Sequence, residues 1–553
     1  LAKVKKTVRK TLGARKKQNG QRKQNTQKML LLKKRLKESA YISSTLALLH
    51  WDQEVLMPSK GINLRSQTIA HMSGLAHSHF LEINKDGLLT DLKKVHEARR
   101  TSTRRRTNQN QTVAQAVARD QTQDQTIVLE TWKSYERAIK LPENFIKELA
   151  ETQSKSNSVW AEARARNDFS AFCPWLEKII ILKRKEAELV GFTKSPYDAL
   201  IDVYEPGMTA ETLSIIFAEL KMFLVEFLEK IKKSEKSAND RKKPISFHNF
   251  HGNFPADKQM AFSKMVAAKI GFDLDAGRID LSAHPFTTNF HSQDVRFTTH
   301  IDEHNIMPAL SATIHEAGHA LYEQGLPQEH FGTPLAESIS LGIHESQSRF
   351  WENCIGKSQE FWQYFYPALI KEFPKPFGEI SIDTFYRSIN QVKPSLIRIE
   401  ADEVTYNLHI IIRFEIEKAL IEGSIEAKDL PAIWRSKMKE YLGIDVPSDS
   451  LGVLQDTHWA QGLIGYFPTY TLGNLYSAQF FAKMMIDIPD LKKQISRGEF
   501  RAIFTWLRNH IHTHGKIHTA DSIVQAVTGE PLTSQYFIEY LREKFSKIYS
   551  FTN

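Results

Sequence analysis

Residues 308–322 read Pro-Ala-Leu-Ser-Ala-Thr-Ile-His-Glu-Ala-Gly-His-Ala-Leu-Tyr, an apolar helical pattern with two imidazoles and a carboxylate set into it. The segment is entered at Pro308 and left at Gly325, as helices often are, and its apolar first turns predict burial. Two histidines and a glutamate on one buried helix destabilise a chain unless they share a partner. His315 and His319 lie four apart, one turn from each other on the same face, which is the spacing at which two imidazoles bind one tetrahedral Zn²⁺. Glu316 is turned about 100° away. It can reach metal-activated water without being a ligand and would act as general base.

Such a motif occurs by chance in roughly one chain in twenty of this composition, so a third ligand is needed to support it. Downstream candidates are Glu323, Glu329, His330, Glu337, Glu345 and Glu352. A helix is expected over about residues 336–353. Glu337 sits at its first turn, where an acid also stabilises the helix N-terminus. Glu345 is mid-helix among apolar residues and is the favoured ligand, with an ion pair to Arg349 as its competing explanation.

The remaining pattern is mainly helical. Amphipathic periodicity runs over 29–49, 129–139, 144–165, 175–190 and 209–233 and, after Pro308, over most of the chain. A loop-rich stretch at 239–300 contains the best strand candidate, Val295–Thr299. A mainly α protein with a small β element near the active helix is expected.

The net charge of +10 is concentrated in residues 1–28, which hold eleven Lys and Arg and no acid, leaving −1 for the rest. This predicts a basic, disordered tail, with nucleic-acid binding as a remote alternative function. Residues 99–127 read as a polar low-complexity excursion. Two cysteines in 553 residues exclude a disulfide framework and suggest a reducing, cytoplasmic setting. No apolar run approaches the roughly 20 residues that span a bilayer.

Further motifs appear in order: His284-Pro285-Phe286, Asp294-Val-Arg296-Phe-Thr298, the 315–319 motif, His344-Glu345-Ser346, Ile397-Arg398-Ile-Glu-Ala401-Asp402 and Gly452-Val-Leu-Gln455-Asp456-Thr-His458-Trp459. Trp51-Asp52-Gln53-Glu54, Tyr197-Asp198-Ala199-Leu200 and Tyr204-Glu205-Pro206-Gly207 accompany them. On these the chain resembles the Taq-type metallocarboxypeptidases, peptidase family M32, over most of residues 40–550.

The resemblance implies a helical, cleft-bearing fold like that of neurolysin and angiotensin-converting enzyme, formed as a single domain over 29–553 and usually homodimeric. It implies release of single residues from peptides with a free C-terminus, using one Zn²⁺ or Co²⁺ per subunit. Carried over residue by residue, His315, His319 and Glu345 become the metal ligands and Glu316 the base. An endo-acting oligopeptidase of the same fold is the alternative.

A terminal carboxylate is best gripped by an arginine fork. Arg398 leads, with Asp402 or Glu400 as structural competitors, and Arg296 is second. His458, Tyr466 and Tyr470 could donate to the developing oxyanion. The His284 motif would close one end of the groove. His510, His512, His514 and His518 invite a second metal site, but without carboxylates they read as a surface cluster.

Overall fold

The computed structural model describes residues 2–103, 114–240 and 247–551. Helices dominate, as the periodicity predicts, with one three-stranded sheet midway.

The first helix, Ala2–Val55, takes in the basic head that was expected as a disordered tail. From Met29 onward it buries one face: Met29, Leu32 and Leu36 pack with Leu89, Leu92, Ile127, Val128 and Leu335 in a small second core. Residues 99–103 and 114–127, expected as part of a polar excursion, belong to the helices Leu88–Thr103 and Ala114–Lys140; residues 104–113 lie outside those described.

The sheet has the order β1–β3–β2, with β1 at Gly277–Leu281, β2 at Thr287–His291 and β3 at Asp294–Thr299. Strand β1 runs parallel to β3 and β2 antiparallel to it. Val295 and Phe297 point inward and are fully buried. Thr299 Oγ1 donates to Ala309 O at 3.0 Å, joining β3 to the helix behind it. Only β3 had a strand pattern in the sequence. β1 and β2 are five residues each and only partly buried, so neither carries an alternating signal.

That next helix, Ile306–Gly325, carries the two histidines and is capped by Asn305, whose side chain accepts from Met307 N at 3.1 Å. The helix expected over 336–353 starts later, at Leu341, capped by Ser340, and runs to Arg349 before continuing as a π-helix over Phe350–Gly356. Glu337 therefore lies before the helix and pairs with Lys516 at 2.5 Å.

Two glycines allow the close packing that builds the site. A Cβ on Gly318 would lie 2.6 Å from Gln347 O, and one on Gly473, in helix Pro468–Asp487, 2.4 Å from Glu345 Cγ. Three helices thus meet at nearly backbone distance around His315, His319 and Glu345.

Candidate metal centre and active-site cleft

His315 and His319 project from one helix face, with their ring centroids 4.9 Å apart. Glu345 arrives from helix Leu341–Arg349, its Oε2 3.3 Å from His319 Nε2 and 3.8 Å from His315 Nε2. Donor atoms from these three residues lie within 4.8 Å of one another, the one such cluster among the described residues. Ligands about 2.1 Å from a tetrahedral ion lie roughly 3.4 Å apart, so the donors need move little to share a metal.

The surroundings orient each donor. His315 Nδ1 bonds Glu352 Oε2 at 2.8 Å and His319 Nδ1 bonds His344 O at 3.1 Å, leaving both Nε2 atoms for a common ion. Arg349 Nε donates to Glu345 Oε1 at 2.7 Å, and its Nη1 to Glu352 Oε2 at 3.1 Å. The competing explanation for Glu345 is thus met together with the ligand geometry: one oxygen takes the arginine and the other faces the histidines.

Electrostatics agree with a cation site. Burial would raise the Glu345 carboxyl, but Arg349, His315 and His319 outweigh it and hold it well below the usual range. Burial would lower His315, yet Glu345 and Glu352 outweigh it and raise it, so the position favours positive charge. His319 is pushed down to about 3 by burial, with His344 and His315 adding to the effect. A neutral imidazole is the form a metal requires.

Glu316 is buried beside the pair, and its Oε2 accepts from Thr287 Oγ1 at 2.6 Å. Burial raises its carboxyl against the opposing pull of His315 and Thr287, which suits a base that must take and return a proton. All four residues line a cavity of about 850 Å³. Arg398, Tyr406, Tyr466 and Tyr470 line it too, as do His284 and Phe286.

The profile of the carboxypeptidase Taq (M32) metallopeptidases matches residues 31–545. The chain belongs to this family. It is 40% identical over 523 residues to thermostable carboxypeptidase 1 of Thermus thermophilus, covering 93% of this chain and 97% of that protein. Against carboxypeptidase 1 of Bacillus subtilis the identity is 39% over 514 residues, with the same coverage. The crystal structure of the M32 carboxypeptidase from Deinococcus radiodurans superposes with a TM-score of 0.86 at 34% identity, covering 95% of this chain and all of that one. Trypanosoma cruzi metallocarboxypeptidase 1 gives 0.86 at 32%, covering 95% and 99%. As an M32 member the chain is a metallocarboxypeptidase, a hydrolase of peptide bonds at C-termini.

Within this M32 cleft the expected substrate contacts fall into two groups. Arg398 is buried in the wall but pairs with neither Asp402 nor Glu400. Its Nε donates to Asp456 Oδ1 at 3.0 Å and its Nη1 to Tyr406 OH at 3.1 Å. Tyr470 lines the cavity, while His458 stands behind it, its Nε2 3.1 Å from Tyr470 OH. Burial pushes His458 down to about 3. Arg296 is not among the cavity-lining residues. Its fork grips Asp294 at 2.8 and 2.9 Å, and the guanidinium lies over the Trp51 and Phe290 rings. Among the described residues the distal histidines belong to no metal-binding cluster, and His512, expected at the surface, is fully buried with Nε2 2.9 Å from Gln347 Oε1.

Thr287 and Tyr406 were not singled out from the sequence. Thr287 stands immediately after His284-Pro285-Phe286, and that adjacency is the signal that could have found it.

Proposed function

We propose that this M32 chain is a zinc carboxypeptidase, active also with cobalt, in which His315, His319 and Glu345 hold the ion, one per subunit. The observation that carries the reading is the convergence of two imidazole nitrogens and one carboxylate oxygen on the wall of the cavity that also contains Arg398. When bound, the ion polarises the scissile carbonyl and lowers the pKa of water. Glu316 removes the proton from that water and returns it to the departing amine, its carboxylate oriented by Thr287. Arg398 receives the terminal carboxylate of the peptide, and Tyr470 offers its hydroxyl to the developing oxyanion. His458 acts on the cleft through Tyr470.

A homodimer and a cytoplasmic location belong to the same reading. Cys173 and Cys354 stand unpaired, which fits a reducing compartment. Among the described residues no helix is long and apolar enough to cross a membrane.

The test is mass spectrometry of one unblocked peptide and its C-terminal amide incubated with metal-loaded enzyme. A ladder of single losses from the free acid, with the amide spared, is expected. Internal cleavage of both peptides would replace this reading with the endo-acting oligopeptidase.

A further inference from the structure

Asp456 is shared between two buried guanidiniums. Arg398 Nε donates to Oδ1 at 3.0 Å and Arg413 Nε to Oδ2 at 2.7 Å, with the Nη2 atoms of the two arginines 3.0 and 2.5 Å from the same oxygens as ion pairs. Arg413 is fully buried on helix Tyr406–Glu422, and a third contact sends its Nη1 to His409 O at 2.7 Å. Its guanidinium lies over the Trp434 and Phe467 rings, 4.7 and 5.3 Å from their centroids. Arg413 does not line the cavity, whereas Arg398 does.

Two cations on one anion leave a local charge of +1 in the cleft wall. The two nearest acids along the helix do not cancel it by direct pairing: Glu415 pairs with Lys221 and Lys437, and Glu417 is held by neutral donors. Its oxygens accept from Tyr197 OH, Trp459 Nε1 and Gly465 N, and burial pushes its carboxyl up to about 7. Burial lowers Arg413, and the repulsion from Arg398 adds to that against the pull of Asp456. A buried surplus cation is costly unless an anion completes the site, and of the two arginines it is Arg398 that lines the cavity.

We propose that Arg413 is a positioning residue for substrate: by occupying half of Asp456 it keeps Arg398 from being neutralised, so that the wall retains a net positive charge for the peptide's terminal carboxylate. The inference rests on Arg398 being the carboxylate anchor. It adds that the anchor's strength is set from behind, by a residue that never meets the substrate.

The experiment measures KM and kcat for one peptide as free acid, and the inhibition constant of its uncleaved C-terminal amide as a competitor, in the metal-loaded enzyme and in Arg398→Gln, Arg413→Gln, Arg413→Lys and Arg413→Gln/Asp456→Asn. Arg413→Gln should raise KM for the acid about tenfold, the size expected for one uncancelled charge a few ångströms away in a partly screened site, with kcat near wild type and the amide's inhibition constant unchanged. Arg413→Lys keeps the charge and should stay within about threefold of wild type. The double variant restores the +1 and should recover most of the lost affinity.

A double variant as weak as Arg413→Gln, or a lysine variant as weak as the glutamine, overturns the proposal in favour of a packing role. If Arg413→Gln does not fold, a lysine or double variant whose KM for the acid is about tenfold above wild type overturns the proposal equally. An unchanged KM in Arg398→Gln instead sinks the anchor reading itself, whatever Arg413 does.

Discussion

Arg349 and Glu345 are four residues apart on one helix, and the arginine's Nε holds the glutamate's Oε1 at 2.7 Å while Oε2 points at the histidines. The same guanidinium reaches Glu352, which orients His315. One buried cation therefore sets the direction of two of the three donors. Arg349→Met should weaken metal binding by ten- to a hundredfold, the usual cost of losing an outer-shell partner. Competition with a chelator of known affinity measures this, and unchanged affinity would show that the ligands orient themselves.

Glu316→Gln keeps the shape of the side chain and its contact with Thr287 but removes its basicity. Peptide hydrolysis should fall by about 10²- to 10⁴-fold, while metal content by elemental analysis stays stoichiometric. Near-normal turnover in the loaded variant would exclude Glu316 as the base.

Glu205 accepts from Gly342 N and from Tyr476 OH, both at 2.9 Å, at the start of the helix that bears Glu345. Burial pushes its carboxyl up to about 7 against the hydrogen bonds that lower it. A folded-state pKa above the unfolded value means the native protein binds the proton more tightly. The resulting stabilisation is complete below about pH 4.5 and is lost as pH rises toward 7. Glu205→Gln can satisfy the same partners and does not titrate. Between pH 5 and 8 the wild type should lose up to about 3 kcal/mol relative to this variant. Parallel denaturant melts across that range give the difference, and a difference independent of pH refutes the assignment.

Gly473→Ala places a methyl 2.4 Å from Glu345 Cγ and 3.0 Å from its backbone carbon. Neither neighbour is a flexible chain end. A loss of about 1–3 kcal/mol in stability is expected, together with weakened metal binding because the displaced atom belongs to a ligand residue. Calorimetry and metal titration should move together; a stable variant with full metal affinity would show that the two helices can separate at no cost.

Much of the centre was legible in one dimension because its parts are local. Two histidines and a glutamate within one helical turn announce themselves through spacing, whereas Glu345 was favoured by its mid-helix placement and by the family resemblance, its spacing to Arg349 being the competing explanation. The strand at Val295–Thr299 was legible for the same reason, since β3 buries Val295 and Phe297 on one face. The first helix was harder. Its basic head has the composition of a tail, yet the backbone continues through it into a segment whose apolar residues pack on Ile127 and Val128.

Arg296 and Arg398 show where spacing stops being informative. Each lies in a motif with acids close by, and local pattern ranks them only weakly. Arg296 closes on Asp294 two residues away, whereas Arg398 passes over its neighbours to Asp456, which also serves Arg413.

The sequence by itself determined the chemistry on offer: a helix able to present two imidazoles to one ion, a base beside them, a mainly helical body and family membership. Tertiary structure decided which acid stands beside the two histidines, which arginine faces the cleft and that His512 is buried in the core. Periodicity encodes which side of an element a residue occupies. Which two sides meet depends on packing between helices distant in sequence, here permitted where Gly318 and Gly473 let backbones approach closely enough to bring Glu345 onto the histidines.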